Sequence, residues 1–394
     1  MSAYLDHAAT TPMRESAREA WSEQAQRGGN PSSLHTSGRA ARAVVEESRE
    51  QIADALGARP SEVVFTSGGT EADNLAVKGS YAARHRSVGA SRLVASGIEH
   101  HAVLDPVQHL LRRQGAEVTW LEPDRCGHIS VDDLRAALAG TDPDSVALVS
   151  VMWANNEVGT VQPVAELAAV ARDAGVPFHT DAVQAVGQLP VDFAQSGADL
   201  LTVSAHKVGG PVGVGALLAR RDAALVPLVH GGGQERHVRS GTLDAAGIRA
   251  FAVALTEAVA ERETAAARLT DLRDRLITGA LGLDLGISVS GCWTAGDATG
   301  RLPGNAHLLV PGCEGDSLLY LLDAAGVECS TGSACQAGVP QPSHVLLAMG
   351  YPEVEARGAL RLSLGHTSTQ VDVDAFLAAL PAVVERARRA SGAA

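Results

Sequence analysis

Cysteine is scarce in this chain of 394 residues, with five in all: Cys126, Cys292, Cys313, Cys329 and Cys335. Their number is odd and no Cys-x-x-Cys pair occurs, which argues against a disulfide framework or a structural zinc site and leaves room for one reactive thiol. Long apolar runs are missing too. No stretch approaches 18 uncharged apolar residues, and the N-terminus Met1-Ser2-Ala3-Tyr4-Leu5-Asp6-His7 has no basic region followed by an apolar one. A membrane span and a secretory leader are therefore not expected, and the expected compartment is the cytoplasm. Basic excess is also absent: 32 Lys and Arg against 45 Asp and Glu give a formal charge of -13. That charge disfavours stable nucleic-acid binding or a grip on anionic lipid through bulk electrostatics.

What is present is ordinary globular composition, 45% hydrophobic and 20% charged, long enough for two or three packed units. From about residue 40 to 260, short apolar or β-branched runs alternate with amphipathic stretches. The pattern predicts an α/β fold with a mostly parallel, seven-stranded sheet covered by helices on both faces. The strands fall near Glu62 to Thr66, Arg92 to Ser96, Glu117 to Leu121, Val146 to Met152, Pro177 to Thr180, Leu200 to Ser204 and Gly215 to Ala219. Helices fit between them. Ala41, Val45, Ile52 and Leu56 recur at helical spacing, and Gly57 is placed to end that helix. Beyond the Ala-rich segment Asp244 to Ile277, read as one or two helices, strands and helices alternate in an α+β order. The expected division is a large domain over 13–261 and a smaller one made of 1–12 and 262–394.

The chemistry gathers at predicted strand ends. Lys207, in Ser204-Ala205-His206-Lys207, follows one strand, where desolvation lowers an amine's pKa and frees it to form a Schiff base. Asp181 ends the preceding strand, 26 residues earlier. A buried carboxylate there suits a pyridine nitrogen that must stay protonated, although a helix N-cap is the plainer role. Ser67-Gly68-Gly69-Thr70-Glu71 opens a helix with small residues, which lets backbone N–H groups approach a phosphate, and it matches neither a Walker nor a dinucleotide fingerprint. His100, in Glu99-His100-His101-Ala102, offers an imidazole for stacking and proton transfer. A metal reading of the two adjacent histidines fails for want of a third ligand at recognisable spacing, so no metal is expected.

In order and spacing these segments resemble the fold-type-I pyridoxal-phosphate (PLP) enzymes, and in detail the cysteine desulfurases of the IscS/NifS type. The likeness spans nearly the whole chain. It includes Tyr4-Leu5-Asp6-His7-Ala8-Ala9-Thr10-Thr11-Pro12, Gly29-Asn30-Pro31-Ser32-Ser33, Asn155-Asn156-Glu157-Val158-Gly159, Arg239-Ser240-Gly241-Thr242-Leu243 and Ser330-Thr331-Gly332-Ser333-Ala334-Cys335. The resemblance implies Lys207 as the Schiff-base lysine, Asp181 as the pyridinium partner and His100 as the stacking acid/base group. It implies Gln184 and Asn156 near the cofactor's phenolic oxygen, and Gly69, Thr70, Ser204 and His206 at its phosphate. Thr242 would reach that phosphate from the second subunit of a homodimer. Arg361, assisted by Asn30, would take the carboxylate of L-cysteine, a task suited to the guanidinium fork.

Cys335 would carry the sulfur as a persulfide to an acceptor protein, an iron-sulfur scaffold or a thiolation enzyme, and alanine would leave. The segment Gln336 to Pro342 after it is poor in apolar anchors. Cys329 reads as a small buried hydrophobe, while Cys126, Cys292 and Cys313 read as packing or surface positions. Two departures stand out. Ala205 replaces a common glycine, and the chain ends soon after Arg389, short of the tail with which some relatives dock their scaffold. A selenocysteine lyase would share Lys207 and Asp181 without needing Cys335.

Overall fold

The computed structural model describes residues 2–332 and 342–392; the expected nucleophile Cys335 lies outside the described residues. The strands are β1 (Ala3–Tyr4), β2 (Val63–Thr66), β3 (Arg92–Ser96), β4 (Glu117–Leu121), β5 (Val146–Ser150), β6 (Phe178–Asp181), β7 (Leu200–Ser204), β8 (Gly215–Ala219), β9 (Ser288–Val289), β10 (Asn305–Leu309), β11 (Val327–Glu328) and β12 (Ala359–Ser363). Seven of them form one sheet in the order β2-β8-β7-β6-β5-β3-β4. β8 runs antiparallel to both of its neighbours, β2 and β7, and the other six strands share one direction.

Successive residues of each strand face opposite sides, so one sheet feeds two cores. Val63 and Phe65 join Ile52, Ile248 and Phe251 on one face. Val64 joins Leu75, Tyr81 and Val107 on the other. Strands covered on both faces read as continuous apolar runs, which is why β5, β7 and β8 are buried at every position.

The helix Ala245–Leu281 is continuous over 37 residues and capped by Asp244, whose Oδ1 accepts the N–H groups of Ala246 and Gly247. Its first turns (Ile248, Phe251, Leu255) pack beside the large sheet. Its last turns (Leu269, Leu276, Ile277) enter a separate core with Leu308, Leu318, Leu360, Leu362, Phe376 and Leu380. That second core rests on the antiparallel sheet β12-β10-β9 and on the parallel pair β1-β11. Ala3 and Leu5 are buried in it as well, so the N-terminus packs with the C-terminal third of the chain.

One expectation is overturned. Cys126, in the loop after β4, and Cys292, just past β9, are joined as a disulfide with their Cα atoms 4.8 Å apart. They are 166 positions apart in the chain, a pairing that spacing alone does not reveal. Among the described residues, no helix is long and apolar enough to cross a membrane.

Candidate active site

Because β3, β5, β6 and β7 run parallel, their C-terminal ends lie along one edge of the sheet, where open α/β folds bind ligands. β2 and β7 both run antiparallel to β8, so the end of β2 at Thr66 joins that edge. Five strand ends therefore surround a cleft of about 250 Å³.

One wall comes from the turn after β2. Gly68 has φ +141°, a conformation open to glycine, and lets the helix that starts at Gly69 turn into the cleft. A Cβ at Gly69 would stand 3.1 Å from Val183 Cγ2 and 3.5 Å from Ser204 Cβ. Thr70, Ser204 and His206 line the cleft beside it, a set of hydroxyl, imidazole and helix-start donors suited to an anion. Glu71 at that helix start pairs with Arg239 Nε at 2.9 Å, which ties the segment containing Thr242 to this wall. Thr242 itself is exposed and does not line the cleft of this chain.

The floor is acidic and buried. Asp181, at the end of β6, accepts the Val183 N–H at 2.9 Å, and burial together with nearby Asp73 pushes its carboxyl up to about 8. Behind it, His179 Nδ1 meets Ser150 Oγ at 2.9 Å. Its Nε2 lies 3.1 Å from Thr202 Oγ1 and 3.5 Å from Asp73 Oδ1. Burial lowers the His179 imidazole to about 4 and raises the Asp73 carboxyl to about 7. β5, β6 and β7 are thus cross-linked by polar side chains directly under Asp181. Asp73 and Met152 also line the cleft, and the sequence reading missed both: the first resembles a solvated helix carboxylate, the second plain packing.

Lys207 follows β7 on the single turn Ala205–Lys207, and Ala205 is fully buried beneath it. Its Nζ donates to the carbonyls of Ala8 (2.6 Å) and Ala9 (2.7 Å), while Gln184 Nε2 shares the Ala8 oxygen at 2.9 Å. Burial first, then the Arg361 charge, lower the amine to about 8, so a useful fraction is neutral and nucleophilic near physiological pH. Only one other lysine, Lys78, occurs in the chain; that scarcity was a signal available from sequence.

His100 caps the helix His101–Gln114, its Nδ1 accepting the Ala102 N–H at 3.1 Å. Burial, aided by Lys207, lowers it to about 4. The ring is therefore neutral, and with Nδ1 occupied as an acceptor its proton resides on Nε2. Asn156 lines the cleft from the loop after β5, and its carbonyl accepts from Arg361 Nη1 at 3.1 Å.

Arg361 is buried on β12, with Nη2 2.8 Å from Asp6 Oδ1. Its Nε–H is buried without a hydrogen-bond partner among the described residues, a donor whose desolvation a bound carboxylate would offset. Asn30 is exposed, its Oδ1 accepts the Ser32 N–H at 2.9 Å, and it is not among the residues that line the cleft. Cys329 is buried, and that burial pushes its thiol up to about 12.

Comparison with known proteins fits this geometry. The chain matches the class-V aminotransferase family over residues 3–376. It is 59% identical over 393 residues to an IscS-like cysteine desulfurase of Mycobacterium tuberculosis, covering all of this chain and 98% of that one. Among solved structures, a NifS-like protein superposes with a TM-score of 0.87 at 34% identity over 98% of this chain and 99% of the other. SspA in complex with cysteine superposes with a TM-score of 0.78, also at 34% identity, over 94% and 100%. With likeness of this extent over both the sheet edge and the smaller core, the chain belongs to the class-V aminotransferase family and, within it, to the cysteine desulfurases of the IscS/NifS type.

Proposed function

We propose that this protein is a PLP-dependent cysteine desulfurase that takes sulfur from L-cysteine onto Cys335 and releases alanine. The observation that carries the reading is the convergence on one cleft of Gly69, Thr70, His100, Asn156, Asp181, Gln184, Ser204, His206 and Lys207.

The family depends on pyridoxal phosphate, and the cleft fits that group at both ends. A desolvated carboxylate, Asp181, is matched by a protonated ring nitrogen, whereas the hydroxyl and helix-start donors of Thr70 and Ser204 match a phosphate. Bound there, the cofactor would supply an electron sink for bond breaking at the substrate's carbons. The remaining steps belong to the protein. Lys207, with its lowered pKa, attaches the cofactor and afterwards carries protons to and from the substrate. His100 packs its neutral ring over the site and offers the Nε2 proton. Arg361 orients the substrate carboxylate through its Nε and Nη2 edge. Cys335, as the thiolate, takes the substrate sulfur as a persulfide, and a second protein or a reductant removes it.

In this reading 13–261 form the cofactor-binding domain, and 1–12 with 262–394 form the smaller domain that carries Cys335. The enzyme works in the cytoplasm as a homodimer in which Thr242 completes the neighbouring site; symmetric pairing is the commonest assembly. Iron-sulfur scaffolds and thiolation enzymes are the acceptors that fit a persulfide donor. The test is turnover: purified protein with pyridoxal phosphate, cysteine and a thiol reductant should yield equal amounts of alanine and sulfide. Release of pyruvate or keto acid in place of alanine would sink the assignment.

A further inference from the structure

Away from the cleft, the loop after β4 meets the end of β9. We propose that Cys126 and Cys292 are a reversible thiol–disulfide pair that fastens the loop after β4 to the small-sheet side of the protein, beside the turn closing the helix His344–Ala348. Their Cα separation of 4.8 Å lies within the range a disulfide accepts.

Cys126 itself and Gly291, the neighbour of Cys292, are held in place by bonds other than the disulfide. Asp124 Oδ1 accepts the N–H groups of Cys126 and His128, each at 2.8 Å, and the Cys126 carbonyl accepts from Thr160 Oγ1 at 2.6 Å. On the other side, the Gly291 N–H donates to Tyr351 Oη at 3.0 Å. The Arg125 guanidinium lies 4.5 Å from the centre of the Tyr351 ring and donates to the Gly350 carbonyl at 3.2 Å. The two thiols therefore stay neighbours after reduction, which favours reclosure over exchange with other thiols.

Access differs from that of the remaining described cysteines. Cys292 is exposed and Cys126 half-buried, while Cys313 and Cys329 are both buried. In a reducing compartment a bond this accessible is poised to respond to oxidant and not to stay closed. The chemistry balances with a small disulfide as oxidant. The Cys292 thiolate attacks oxidised glutathione and one glutathione thiolate leaves. The Cys126 thiolate then attacks the Cys292 sulfur of the mixed disulfide, and the second glutathione leaves with the electron pair. Two protein thiols are oxidised and one glutathione disulfide is reduced.

A competing fate exists. The donor atoms of Asp124, Cys126 and His128 lie within 4.8 Å of one another, so a zinc ion could claim the same thiol; one Asp124 oxygen, however, is already engaged by the turn.

The holoenzyme, wild type and Cys292→Ser, is exposed to oxidised glutathione, alkylated and mapped by peptide mass spectrometry without reduction. A linked Cys126–Cys292 peptide should form in the wild type, vanish with dithiothreitol and be missing from the variant. The oxidised wild type should melt about 5 °C or more above its reduced form, because the closed loop is long, while the variant should melt identically under both conditions. The proposal is overturned if both thiols remain alkylatable after oxidation, or if the link forms with no change in melting. Stoichiometric zinc in the purified wild type that is lost in Cys126→Ser would overturn it too. Cys126→Ser provides the same comparison should Cys292→Ser fail to fold.

Discussion

Replacing Arg361 by alanine separates binding of the substrate carboxylate from everything else the cleft does. In the wild type the residue is 5% exposed, and its guanidinium holds Asp6 at 2.8 Å and the Asn156 carbonyl at 3.1 Å and keeps one N–H without a described partner. A charge-assisted, two-pronged contact with cysteine is worth about 2 to 3 kcal/mol. At 1.36 kcal/mol per factor of ten, kcat/KM should fall roughly 30- to 150-fold, chiefly through KM. There is a structural cost as well. Asp6 keeps a side-chain exposure of 22%, so losing its partner should cost about 1 to 2 kcal/mol, below the toll of a fully buried pair. Arg361 also helps lower the Lys207 amine, so the pH midpoint for cofactor attachment should move above 8 in the variant. Lysine at 361 keeps the charge but loses the planar fork; it should restore more stability than capture. The assay is steady-state alanine formation across cysteine concentrations, with melting and cofactor absorbance as controls. A folded, cofactor-loaded Arg361→Ala enzyme with kcat/KM within about twofold of wild type would refute the reasoning, and the substrate carboxylate would have to be held elsewhere.

Lys207→Ala should fold and take up pyridoxal phosphate without covalent attachment, losing turnover altogether; borohydride reduction followed by mass mapping would expose a second attachment site if one existed. In the wild type, whose Lys207 amine titrates at about 8, the rate of cofactor attachment should climb with pH up to that value and level off above it. Asp181 is raised from 3.8 to about 8, so the folded protein binds a proton there more tightly than the unfolded chain. Between those two values this group contributes stability to the cofactor-free protein that is lost as pH rises, and Asp181→Asn should remove that contribution from the wild-type-minus-variant difference. The same variant should turn over at least about a hundredfold more slowly, having lost a charge that stabilises the reacting state; an unchanged rate contradicts its placement. If Thr242 completes the partner's site, light scattering should find a dimer, and a fully active monomer would rule that contribution out.

Much of this was legible in the chain because strand and turn chemistry coincide. Arg92–Ser96, Glu117–Leu121, Leu200–Ser204 and Gly215–Ala219 are strands with the boundaries their apolar runs and flanking breakers predict. The reversal of β8 was not legible. A strand buried on both faces has the same pattern whichever way it runs, and β8 is buried throughout. The residues at strand ends, Asp181 and Lys207 above all, were readable because their neighbours in sequence are their neighbours in the cleft. Asp73 was not, since only the packing of a helix onto β6 and β7 turns a helix carboxylate into part of the floor. Nor could the meeting of Cys126 and Cys292 be read across 166 positions. Neither Asn30 nor Thr242 lines the cleft of its own chain.

The central claim is that sulfur passes onto Cys335 and not onto Cys329, whose thiol is buried and held un-ionised by a pKa near 12. Mass spectrometry after a single exposure to cysteine without reductant decides it. Wild type and Cys329→Ser should each gain about 32 Da, one sulfur atom on a thiol, within the peptide that contains Cys335, and Cys335→Ser should bind cofactor and cysteine yet gain nothing. A gain that persists in Cys335→Ser and disappears in Cys329→Ser would contradict the account.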